Sequence, residues 1–164
     1  MATEAIENFS DGQEAARLRS AVALATFALT SPDVHPDHRK RLLNEAIWFV
    51  TERGSVNRKY RLRYRTLAAL AIQRTLPAAA ATKQLAHEHI QPRKHLVLRL
   101  LEPGADVANI LAGAEACVVT RSEHELLTAQ TTAVGWQRYL AAGITVIDLA
   151  TGTPLDLEAA VASN

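Results

Sequence analysis

At 164 residues, 48% of them hydrophobic, with a net charge of +1 and a single cysteine, the chain can build one core but no intramolecular disulfide and no cysteine-rich zinc site. No apolar run approaches the ~20 residues of a membrane span, and the N-terminus carries no basic-apolar signal, so a cytoplasmic protein without a membrane partner is expected. The patterning predicts a single compact domain over 1–164, made of a helical bundle over 11–77, an α+β unit over 83–150 and a tail over 151–164 without clear structure.

Asp11 with Glu14 has capping-box spacing, and Leu18, Ala21, Val22, Ala25, Ala28 and Leu29 follow at helical period, which predicts a first helix from about Gly12 to Thr30. Ser31-Pro32-Asp33 and His35-Pro36 break it. A second apolar stripe of Leu42, Leu43, Ala46, Ile47 and Val50, widened by Trp48 and Phe49, is closed by Gly54. A third helix is expected from an Asn57 cap to about Thr75, with Tyr60, Tyr64, Leu67 and Ala71 inward and Arg58, Arg61 and Arg65 on the opposite side. The alternation of Lys59, Arg61, Arg63 and Arg65 also fits a strand with one basic face, but unbroken continuation from Thr66 to Arg74 favours the helix. Leu18, Val22, Leu43, Ile47 and Val50 should pack together with Tyr64 or Leu67.

The alanine run from Ala78 to Ala81 reads as a linker or frayed turn. Leu85 to Ile90 reads as a strand, and Pro92 as the first residue of a helix that reaches Leu101 before Pro103-Gly104 stops it. A brief helix around Val107 to Ala112 and a strand from Ala116 to Thr120 follow. Ser122 with Glu125 has the spacing of a capping box opening a helix that contains His124. Gly135 to Ala142 reads as helix and Ile144 to Leu149 as a strand. The fold class expected is α+β and mostly helical: an N-terminal helical bundle, then a small two- to three-stranded sheet with flanking helices.

The net charge hides an asymmetry. Between His38 and Arg65 nine Lys or Arg face only two acids, Glu45 and Glu52. Such a cluster raises the local potential and attracts polyanions whatever the global balance. Arg58, Lys59, Arg61, Arg63 and Arg65 are therefore candidates for phosphate contacts, with Tyr60 or Tyr64 available for stacking.

Two segments place histidine and carboxylate at the edge of apolar runs: Glu88-His89-Ile90-Gln91-Pro92, and Cys117-Val118-Val119-Thr120-Arg121-Ser122-Glu123-His124. Together they resemble the core of the HNH, or His-Me finger, endonucleases over about residues 85–128, in which a strand with an acid-His pair leads through a loop to a second strand and a helix bearing the last histidine. The resemblance implies that His89 is the general base that activates water, and that Glu88 and His124 hold one divalent cation, Mg, Mn or Zn. The chemistry suits those roles, because a neutral imidazole takes a proton near neutral pH and a cation neutralises the scissile phosphate. Glu115 stands where the family has its middle asparagine, which gives it the orienting position. Thr120 and Glu123 stand where zinc-stabilised members carry cysteines, so no structural zinc is expected.

The function implied is metal-dependent cleavage of nucleic acid, DNA by preference. The alternative is a non-catalytic regulatory module on a degenerate HNH-like scaffold, binding nucleic acid or a protein partner, a second copy included. Other chemistries lack their residues. His87-Glu88 is not followed by the second histidine of a zinc protease helix, no Pro-Cys-x-x-Cys element is present for a deaminase, and no glycine-rich loop occurs for a P-loop nucleotide hydrolase.

Overall fold

A computed structural model describes residues 12–52 and 60–163. Helix α1, Glu14–Thr30, buries Ala21, Ala25 and Ala28, a line of small side chains that lets a second helix approach closely. That helix is α2, Pro36–Thr51, opened by proline at its first position and by the His35 imidazole, which accepts from the Asp37 amide. Leu43 and Ile47 on α2 are fully enclosed, as their period requires. Their partners come from α1 and from α5, Arg93–Leu100, and α6, Val107–Ala112: Leu96, Val97, Leu100, Ile110 and Leu111. Tyr64 belongs to another cluster and Leu67 is exposed, so the bundle is closed by helices from the second half of the chain rather than by the segment after Asn57.

That segment forms strand β1, Tyr64–Thr66, and helix α3, Leu67–Thr75. Tyr60, Leu62 and Tyr64 are all buried, the period-two pattern of a strand approach. The switch to helix falls at Thr66, whose hydroxyl caps α3 by accepting from the Ala69 amide. Helix α4, Ala78–Gln84, occupies the alanine run read as a linker, in keeping with alanine's helix propensity and with Pro77 as the residue before the first turn. Asp11, Gly54, Asn57, Arg58 and Lys59 lie outside the described residues.

Five strands form one mixed sheet in the order β2-β3-β1-β4-β5, where β2 is Leu85–His89, β3 Ala116–Thr120, β4 Val146–Asp148 and β5 Thr153–Pro154. Only β1 and β3 are parallel. The β2/β3 register sets His87 opposite Val118, Glu88 opposite Cys117 and His89 opposite Ala116. Helix α7, Arg121–Ala129, follows β3 directly, and α8, Trp136–Ala141, and α9, Leu157–Ala162, cover the same face of the sheet through Leu127, Trp136, Tyr139 and Val161. The tail therefore has structure: β5 extends the sheet, and Asp156 caps α9 through the Ala159 amide. The architecture is α+β and mostly helical with the N-terminal helices preceding the sheet, and the sheet is wider than expected because β1 and β5 join it. Among the described residues no helix is long and apolar enough to cross a membrane.

Candidate functional site

Strand β2 lies at the sheet edge, and alternation of side chains along it sends successive residues to opposite faces. Glu88 faces α7 and α8. One carboxylate oxygen, Oε2, is 3.1 Å from His124 Nε2, and the other, Oε1, accepts from Arg138 Nη2 at 2.6 Å. The same arginine nitrogen donates to the carbonyls of His89 at 2.7 Å and Ile90 at 3.1 Å, tying α8 to the end of β2. Arg138 and Glu88 are largely out of water, with side chains 6% and 13% exposed, whereas His124 is 45% exposed. Two of the three residues of the resemblance therefore meet, on a unit of two antiparallel strands followed by a helix.

His89 does not join them. Its side chain faces α2, where Nε2 lies 3.0 Å from Thr51 Oγ1 and the ring stands edge-on to Trp48. Because the Thr51 hydroxyl already donates to the Ile47 carbonyl, it is the imidazole that donates to Thr51, which fixes the Nε2–H tautomer. Burial first, then the neighbouring His87, Arg93 and Arg138, pushes the imidazole pKa down to about 3. So weak a proton acceptor on the wrong face of the strand is no general base for chemistry at Glu88 and His124. His87 shares its face: the His87, His89 and Trp48 rings lie 4.9 Å apart in each pairing, with Arg93 stacked over Trp48.

Glu115 does not orient His89 with its side chain. Its backbone carbonyl accepts from the Ile90 amide, while its carboxyl lies with Tyr64 and Arg63. Burial raises that carboxyl's pKa, and the Tyr64 hydroxyl and Arg63 draw it back; the Tyr64 phenol is itself pushed up to about 12, mainly by burial.

Of the five candidate phosphate contacts the structure describes Arg61, Arg63 and Arg65, and two of these are engaged inside the molecule. Arg63 makes a two-pronged pair with Asp148, Nε to Oδ1 at 2.7 Å and Nη2 to Oδ2 at 2.6 Å, which holds the carboxyl below its ordinary range. Arg65 is fully buried: Nε donates to the Leu62 carbonyl, Nη1 to Gln73 Oε1, and Nη2 has no partner among the described residues. Burial, and then repulsion from Arg61 and Arg74, lowers its pKa to about 10. Arg61 is half-buried. A run that reads as one basic face thus offers phosphate neither Arg65 nor an unpaired Arg63.

Two residues that organise the site stand outside the candidates read from the sequence. Arg138 sits in a short helix 50 residues beyond Glu88, and nothing local in the sequence connects them. Glu123 was legible: Thr120 and Glu123 form the capping box of α7, two positions before the Ser122/Glu125 spacing. The Glu123 carboxylate also accepts from the Thr66 hydroxyl at 2.6 Å, so one side chain joins the starts of α3 and α7.

As a cation site the constellation is short of donors. Glu88 and His124 supply two, and among the described residues no group of three or more His, Cys, Asp or Glu is placed to share an ion. Zinc takes three or four protein ligands, whereas magnesium keeps several waters and takes one or two carboxylates. The guanidinium on Oε1 also puts a positive charge against the carboxylate that would attract the ion. The pair is too small for zinc, and the guanidinium on Oε1 opposes a magnesium or manganese ion there.

No family model, no curated protein and no solved structure matches the chain.

Proposed function

We propose that the protein is a non-catalytic nucleic-acid-binding module built on an HNH-like scaffold of β2, β3 and α7. The observation that carries this reading is the fate of Glu88: it meets His124 as the resemblance implies, but Arg138 holds its inner oxygen while His89 faces away. The acid and the last histidine of the resemblance lie on one face of β2 and the candidate base on the other, which favours binding over cleavage. Nucleic acid is favoured as ligand by α5, where Arg93, Lys94, His95 and Arg99 share eight residues with no acid.

The test is a pair of assays on the whole chain. Labelled duplex and single-stranded DNA should bind at low salt and weaken steeply as salt rises. Supercoiled plasmid should stay intact with Mg, Mn or Zn. Metal-dependent cleavage that disappears in Glu88→Gln and His124→Ala but survives in His89→Ala would replace this reading with an endonuclease acting through the Glu88–His124 pair. Absence of binding at low salt would move the function to a protein partner or a second copy of the chain.

A further inference from the structure

A cleft of about 280 Å³ lies where α5, the start of α8 and α9 meet, and its polar wall is Gln91, His95, Arg99 and Gln137. Among the described residues no carboxylate lines it. Arg99 donates to Gln91 Oε1 at 3.3 Å, so its guanidinium is positioned by a neutral amide, and among the described residues it makes no ion pair. The side chains of His95 and Gln137 have no hydrogen-bond partner among the described residues. Val134, half exposed, and the edge of Trp136 form the apolar wall.

Between them Gly135 adopts φ +57° and ψ −141°, a conformation closed to other residues, and an added Cβ would meet nothing within 4 Å. Trp136 itself is mostly packing, with its ring edge-on to Tyr64 at 5.0 Å.

We infer that this cleft binds one nucleotide unit through its phosphate. An imidazole and a guanidinium without carboxylate partners are the donors a phosphate takes, and the planar guanidinium fork matches its oxygens. The two amides offer donor and acceptor together, which suits a base edge, and Val134 with the Trp136 edge gives the base an apolar wall. The volume is at the lower end of small-ligand sites, about 300 Å³, which suits one nucleotide and not a larger cofactor. The phosphate comes either from a free mononucleotide or from a strand. The strand source rests on the nucleic-acid reading above; the free nucleotide does not.

The experiment measures binding of a nucleoside 5′-monophosphate, the matching nucleoside, inorganic phosphate and a short labelled single strand to the whole chain, to Arg99→Ala and to His95→Ala. Arg99 is exposed and His95 half-buried, and unchanged thermal melting checks the fold of both variants. The monophosphate or the strand should bind, each variant should weaken that binding at least about tenfold, and the nucleoside should not bind measurably. Monophosphate binding without strand binding assigns a free nucleotide and removes the nucleic-acid reading while keeping the cleft. Strand binding that both variants retain keeps the nucleic-acid reading and overturns the cleft. Equal binding of nucleoside and monophosphate, or of phosphate and monophosphate, also overturns it.

Discussion

Replacing Arg138 with alanine tests the central contact of the site. All three of its side-chain bonds leave one nitrogen, Nη2, which has two protons for Glu88 Oε1, the His89 carbonyl and the Ile90 carbonyl, so one bond is shared. With both side chains mostly out of water, the substitution strands a carboxylate beside His124 alone and bares two carbonyls. Breaking a pair of this kind costs about 3 to 5 kcal/mol. In a chain of this length that lowers the melting temperature by roughly 6 to 20 °C. Urea unfolding followed by circular dichroism and by Trp48 and Trp136 fluorescence gives the magnitude, with the slope m unchanged. Adding Glu88→Gln to Arg138→Ala removes the stranded charge and should recover about 1 to 3 kcal/mol. A loss below about 1 kcal/mol for Arg138→Ala, with no recovery in the double variant, would refute the reasoning. Glu88 would then be free to serve as a ligand.

Leu43→Ala should cost about 2 to 5 kcal/mol in the same unfolding assay, because Leu43 is fully enclosed between α1, α2, α5 and α6; a loss under 1 kcal/mol would mean that the helical layer is packed differently. His89 titrates at 6.5 when unfolded and near 3 in the fold, so between those values the unfolded chain holds the extra proton. Its contribution is therefore present above pH 6.5 and lost as pH falls toward 3, by up to about 1.4 kcal/mol per pH unit. His89→Gln should flatten the stability profile between pH 6 and 4, and parallel profiles would show that His89 is not held neutral. Arg65→Gln should leave the salt dependence of DNA binding unchanged, since a buried guanidinium meets no phosphate; a log-log slope reduced by about one unit would put Arg65 in contact with the backbone.

Local order was legible where one physical rule acted alone. The helix from Val107 to Ala112 and the strand from Ala116 to Thr120 fall where period and breakers place them, and α1 and α2 bury the side chains that their stripes select. It failed where two rules competed. Thr66 ends a strand and caps a helix at once, so continuous helical residues after it drew Arg61, Arg63 and Arg65 into a helix that begins only at Leu67. The same happened at α7, where two cap spacings overlap and the structure uses the first. The tail was missed because β5 has only two residues, too few for a period, and the Asp156 cap that opens α9 went unread.

What the sequence alone determined is most of the longer local elements and the nearness of an acid strand to a histidine helix, since Glu88 and His124 lie on segments close in order and spacing. Only the tertiary structure decided what those residues can do. The face on which His89 points follows from the register of β2 on β3, the partner of Glu88 comes from a helix 50 residues away, and Arg63 and Arg65 of the basic run are claimed by Asp148, Leu62 and Gln73. Charge and spacing are properties of the chain. Burial and counter-charges are supplied by segments distant in sequence, and they decide whether an imidazole accepts a proton or a guanidinium meets a phosphate.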